Sequence, residues 1–162
     1  MKFIKRYNES FNNENFFDIQ RKLISNFQSL DDFKTKLNNE YSKFQEFIED
    51  NLVDIIDESP NSKIIFDKYI VPEEVDINPF QIQIVNFIEV YVNNINFEEM
   101  GEEKILNQLK KFNSNLSNYK MTYSILGSSG NFINMNIDQL SNKLSSFGFN
   151  GTKELILIQI KN

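Results

Sequence analysis

The chain has 162 residues, 40% hydrophobic and 25% charged, with a formal net charge of −6; this mixture suits a folded globular protein and excludes disordered and fibrous classes. Cys, His and Trp are absent, which removes disulfides, thiolate nucleophiles, Cys-type zinc and iron–sulfur sites, the commonest transition-metal ligand and the usual near-neutral general acid/base. The N-terminus is basic without an apolar signal-type run, and no later stretch has the length of a membrane span, so a soluble, cytoplasmic protein is expected.

In chain order, Phe3, Ile4 and Tyr7 suggest a short first strand followed by a polar connection. From Glu14 the residues Phe16, Ile19, Leu23, Phe27 and Leu30 recur at helical steps, and a first helix is expected to end near Gln28. Ser29 with Asp32 resembles a capping box, and Phe33, Leu37, Tyr41, Phe44, Ile48, Leu52 and Ile56 then hold a long apolar stripe up to Ser59-Pro60.

The run from Lys63 to Val71 is apolar and β-branched; it reads as a helix in slight preference to a strand, which pattern alone does not separate. Asn78-Pro79 makes a helix start, and Phe80, Ile84, Ile88, Val92 and Ile95 follow at helical spacing. Alternation at Ile82, Ile84, Val90 and Val92 keeps a strand open for the same segment. After Gly101, the stripe Ile105, Leu106, Leu109 and Phe112 predicts a helix over 102–118.

Beyond Tyr119 the period changes to alternation. Met121, Tyr123 and Ile125, then the turn Gly127-Ser128-Ser129-Gly130, then Ile133, Met135 and Ile137 predict a β-hairpin. Asp138 is placed to cap a short helix through Leu140, Leu144 and Phe147 that ends at Gly148, and Asn150-Gly151 turns the chain again. The run Leu155 to Ile160 is apolar on both faces, as in a strand paired on both sides or covered on both faces. The expected fold class is α+β, with a predominantly helical N-terminal two-thirds packed on a small C-terminal ββαβ antiparallel or mixed sheet. One compact domain over 1–162 is expected, with subdomains 1–118 and 119–162 as the alternative division.

Charge is segregated along the chain. Residues 1–43 carry net +2, residues 44–103 carry fifteen acids against two lysines for net −13, and residues 104–162 carry net +5. Carboxylates this dense repel one another unless a basic partner, a cation or the chain's own basic flanks answer them. The residues singled out for partner binding are Asp54, Asp57, Glu58, Glu73, Glu74, Asp76, Glu98, Glu99, Glu102 and Glu103. Tyr91, Phe97 or Phe80 would anchor the contact if exposed.

The Gly127 to Gly130 loop lacks the lysine of a phosphate-binding loop and joins strand to strand. The acidic clusters do not match an EF-hand, and glycosidase-type carboxylate pairs are defined by a separation that sequence does not show. Lys110, Lys111, Lys120, Lys143, Lys153 and Lys161 with Tyr119, Tyr123 and Phe149 outline a small nucleic-acid surface, which only two arginines and a pI near 4.8 argue against. The expectation is therefore a non-enzymatic binding or inhibitor protein of the immunity or anti-defence type. Its partner would be a basic protein, such as a toxin or a nucleic-acid-binding protein, engaged without catalytic residues, metal, cofactor or membrane. A carboxylate-based enzyme or ligand domain without a recognisable motif, and a self-associating structural subunit, are the alternatives.

Overall fold

The computed structural model describes residues 14–75, 80–127, 130–147 and 151–162. The expected strand at Phe3 to Tyr7 and the Asn78-Pro79 helix start lie outside them.

Asn15 opens α1 (Phe16–Ser25) by accepting a hydrogen bond from the Phe17 N–H at 2.9 Å, and the helix stops before the expected Gln28. The Ser29 hydroxyl accepts the Asp32 N–H at 3.2 Å to start α2 (Leu30–Glu58), the longest element. Its stripe Phe33, Leu37, Tyr41, Phe44, Ile48 and Leu52 is buried as expected, and Ile55 rather than Ile56 completes it.

Two long strands follow where helices were expected. β1 (Lys63–Val75) pairs antiparallel with β2 (Phe80–Ile95). The four-residue steps of Ile84, Ile88 and Val92 are multiples of the strand period as well as helical steps, and the three-residue step to Ile95 falls at one of two irregularities in the strand. Tyr69 faces Phe87 while Ile70 faces Val85, so Asn86 is an extra residue that resets the phase; a second shift lies between Val92 and Ile95, where Asn94 adopts φ 59°. Asparagine tolerates that left-handed conformation better than a branched residue.

The short α3 (Phe97–Met100) was not anticipated; Asn96 caps it, accepting the Glu99 N–H at 3.1 Å. Gly101, at φ 81°, leads into α4 (Glu102–Asn115). The C-terminal ββαβ unit forms as expected from β3 (Lys120–Gly127), β4 (Gly130–Met135), α5 (Ile137–Phe147) and β5 (Glu154–Lys161). The cap of α5 is Asn136, not Asp138: Asn136 Oδ1 accepts the Gln139 N–H at 2.9 Å and Gln139 Oε1 accepts the Asn136 N–H at 3.0 Å.

The sheet is antiparallel in the order β1-β2-β5-β3-β4, so the last strand is inserted between the two hairpins and is paired on both sides. The fold is thus α+β, with five strands where the C-terminal third alone suggested three. Helical residues such as Phe44, Ile48, Leu109, Phe112, Leu140 and Leu144 form one core with the face carrying Ile88, Val90, Val92, Tyr123, Ile156, Ile158 and Ile160. That core draws on residues from both sides of position 118.

β5 is shorter than β2, so the β2 backbone continues past its neighbour, and α1 completes it there. The buried Gln20 amide donates to the Val85 carbonyl at 2.9 Å and accepts the Val85 N–H at 2.8 Å, standing in for a peptide group of a missing strand. Gln20→Leu leaves both backbone groups without this partner and is expected to destabilise the protein by about 2–3 kcal/mol. Urea unfolding measures it, and a change below half that range would mean that the site rehydrates.

Candidate functional site

The proposed carboxylates divide between two ends of the molecule. At the first end, the C-terminus of α2 meets α3: Ser59 Oγ donates to Met100 Sδ at 3.2 Å and accepts the Asn96 N–H at 3.3 Å. This contact sets the end of α2, which carries Asp54, Asp57 and Glu58, beside α3 with Glu98 and Glu99 and the start of α4 with Glu102 and Glu103. Glu73 and Glu74 stand near the far end of β1. At about 3.3 Å per residue, the strand carries Glu73 roughly 33 Å from Lys63, which follows α2 directly. These two do not share a patch with the others, and Asp76 lies outside the described residues.

Local physics explains some of these acids and leaves others unexplained. Glu98, Glu99, Glu102 and Glu103 occupy first turns of helices, where the helix dipole favours negative charge. Asp57 and Glu58 sit in the last turn of α2, which holds no basic residue, and there the dipole disfavours them. The basic flank answers part of this charge: Lys104 pairs with Glu58, and Lys111 Nζ lies 3.5 Å from Asp54 Oδ2. Such exposed pairs are worth about 0–1 kcal/mol each. Beside the cluster, Ser59, Asn61, Asn94, Asn96, Glu99 and Lys153 line an open polar hollow of about 410 Å³. Among the described residues, no three acids converge as a cation cage.

The nucleic-acid constellation is not assembled. Tyr119 and Tyr123 are buried, the first accepting the Phe16 N–H at 2.8 Å and the second donating to Asn113 Oδ1 at 3.0 Å. Burial raises both phenols, that of Tyr119 to about 12. Lys110 and Lys111 lie on α4 and Lys143 on α5, whereas Lys120 and Lys161 are cross-strand neighbours on the sheet. Phe149 is outside the described residues. Of the proposed anchors, Phe97 is buried in the core and is unavailable to a partner; only the backbone of Phe80 is described. Tyr91 is half-buried on the sheet face that looks away from the core.

That face escaped sequence reasoning because the segments of β1 and β2 were read as helices in preference to strands. Across β1, β2, β5 and β3 its residues form rows: Ile65, Tyr91, Leu157, Ser124; Asp67, Glu89, Gln159, Thr122; Tyr69, Phe87, Lys161, Lys120. Except for the ends of such rows, its apolar members Ile65, Tyr69, Phe87, Tyr91 and Leu157 belong neither to the core nor to the side chains packed against it. Tyr69 stacks on Phe87 with ring centres 4.9 Å apart, and Lys161 Nζ lies 5.5 Å from the Phe87 ring centre. Glu89 accepts from the Tyr91 hydroxyl and from Gln159 Nε2, the latter at 2.7 Å. The hydrogen bond to Glu89 is the main reason the Tyr91 phenol is raised to about 12.

No protein-family model, curated protein or solved structure matches the chain.

Proposed function

We propose that this chain is a non-enzymatic binding protein of the inhibitor or immunity type that engages a basic protein partner through an acidic surface. The observation that supports the reading is the contact of the α2 C-terminus with α3, which sets elements carrying Asp54, Asp57, Glu58, Glu98, Glu99, Glu102 and Glu103 beside one another, with Asp57 and Glu58 against the unfavourable pole of α2. A local cost of this kind is retained where it serves an encounter, and a field of one sign steers a partner of the opposite sign. The carboxylates stand on helix ends, a geometry suited to meeting the rim of a basic cleft.

Reversing Glu98, Glu99 and Glu103 to lysine tests the reading. With the copurifying partner in hand, the association rate is expected to fall by roughly tenfold or more at low salt, and its salt dependence to flatten, while the thermal unfolding midpoint stays within a few degrees. Stopped-flow association across an ionic-strength series measures it. An unchanged rate at low salt would remove the acidic end from the interface.

A further inference from the structure

The face of the sheet opposite the helices is the largest feature that the acidic-end reading leaves unused. Ile65 and Tyr69 are 51% and 54% exposed there, and no hydrophobic residue of that face's central rows packs on the core. A sheet face on which no described helix packs, carrying isoleucine, tyrosine, phenylalanine and leucine, is a surface to be covered.

Charge selects the cover. Asp67 and Glu89 face each other directly across the β1–β2 pair, inside the aromatic patch formed by Tyr69, Phe87 and Tyr91. Like charges in that cross-strand position destabilise a sheet. Their contacts are all neutral: Asp67 Oδ1 accepts the Lys68 N–H at 2.8 Å, and Glu89 is held by Tyr91 and Gln159. Among the described residues, neither carboxylate has a lysine or arginine within ion-pair distance. The pair is oriented by fixed donors and has no described cation within ion-pair distance, the lysines Lys161 and Lys120 standing in the next row of the face.

Two other occupants fit less well. Nucleic acid fits less well because the two carboxylates repel phosphate and Phe87 already stacks on Tyr69 with the Lys161 ammonium 5.5 Å from its ring centre. A second copy adding at the β1 edge meets Pro72, which has no N–H, and Lys68, whose ammonium turns inward 4.7 Å from the Tyr41 ring centre.

We propose that the open sheet face is a docking surface for an arginine-bearing segment of a protein partner, with the guanidinium between Asp67 and Glu89 and flanking apolar side chains over Ile65, Tyr69 and Leu157. Guanidinium suits the site better than ammonium, since it forks onto carboxylates, lies flat on aromatic rings and is weakly hydrated. This inference rests on the reading that the partner is basic, but it moves the anchoring contact from the helix ends to the sheet.

The test is an amide-shift titration of the isotopically labelled full chain with a short synthetic peptide, Ser-Leu-Arg-Leu-Arg-Ser, and with the same peptide carrying citrulline for arginine. The arginine peptide is expected to shift the amides of 65–69, 87–91 and Gln159. Binding should weaken roughly tenfold with the citrulline peptide and in the Asp67→Asn/Glu89→Gln variant, the loss expected for a charge-assisted hydrogen bond. Thermal unfolding supplies the second readout: the double variant should melt higher, because it relieves the like-charge pair. A lower melting point would show that the carboxylates serve the fold, overturning the assignment. Shifts confined to the helix ends, unaffected by the double variant, would overturn the sheet-face site and leave the acidic-end reading standing. No shift anywhere would overturn both. A dimer in solution that Ile65→Lys dissociates would make a second copy the occupant instead.

Discussion

Replacing Phe44 by alanine is expected to destabilise the protein by about 3–5 kcal/mol, the range for truncating a large buried aromatic. Phe44 is fully buried on α2, with its ring stacked at 5.6 Å on Phe16 of α1 and tilted at 5.1 Å against Tyr119, just before β3. Phe16 in turn meets Phe17 at 5.5 Å and Tyr41 at 5.8 Å, and its N–H donates to the Tyr119 hydroxyl. One ring therefore links two helices and the entry to the C-terminal sheet. Removing it loses its own transfer free energy and leaves a cavity that these neighbours close only in part. The control is Val53→Ala on an exposed face of the same helix, where 40% of the residue is accessible; its effect should stay within about 0.5 kcal/mol. Urea unfolding separates the two. Equal losses would mean that the α1–α2–β3 junction does not contribute to the cooperative fold.

What the sequence reveals follows from the range of the interactions that produce each pattern. The stripe of α2 was readable because a long helix buried along one side repeats a single period, and the C-terminal hairpin was readable from the alternation of Tyr123 and Ile125 along β3, although the β3–β4 register shifts opposite them, where Asn134 adopts φ 54° and Phe132 rather than Ile133 packs against the core. β2 was obscured by the Asn86 bulge and the irregularity near Asn94. Each inserts one residue and turns a step of two into one of three, Val85 to Ile88 and Val92 to Ile95, while the four-residue steps of Ile84, Ile88 and Val92 suit either period. No window of sequence records such a bulge, since it is defined by pairing with β1 and β5.

The candidate site has the same division. The acidic segment was visible as composition, but its split into a helix-end group and a hairpin pair depends on where β1 runs. The lysines that answer Asp54 and Glu58 come from α4, about fifty residues later in the chain. The uncovered face became visible only with the strand assignment, because Ile65, Asp67 and Tyr69 share a side only in extended backbone.

The glycines of the C-terminal unit carry the remaining large effect. Gly127 and Gly151 read as turn residues, yet the structure shows a steric reason for both: a Cβ at Gly127 would fall 1.3 Å from Glu154 Oε2, and one at Gly151 would fall 1.4 Å from Glu154 Oε1. Glu154 is fully buried at the start of β5, opposite Ile95, with its carboxylate between the two glycines. Gly151 is held in place by its carbonyl, which accepts the Phe97 N–H at 2.9 Å. A methyl group at either position must therefore displace a buried carboxylate, so Gly127→Ala and Gly151→Ala are each expected to destabilise by about 2–3 kcal/mol. If the carboxylate is the cause, the substitutions couple to it. In a Glu154→Ala background each glycine substitution should cost less than about 1 kcal/mol, a coupling of the size seen for residues in direct contact. A double-mutant cycle by chemical unfolding measures this. Costs that persist undiminished without the carboxylate would return both glycines to the role of turn formers, with their effect arising from backbone conformation alone.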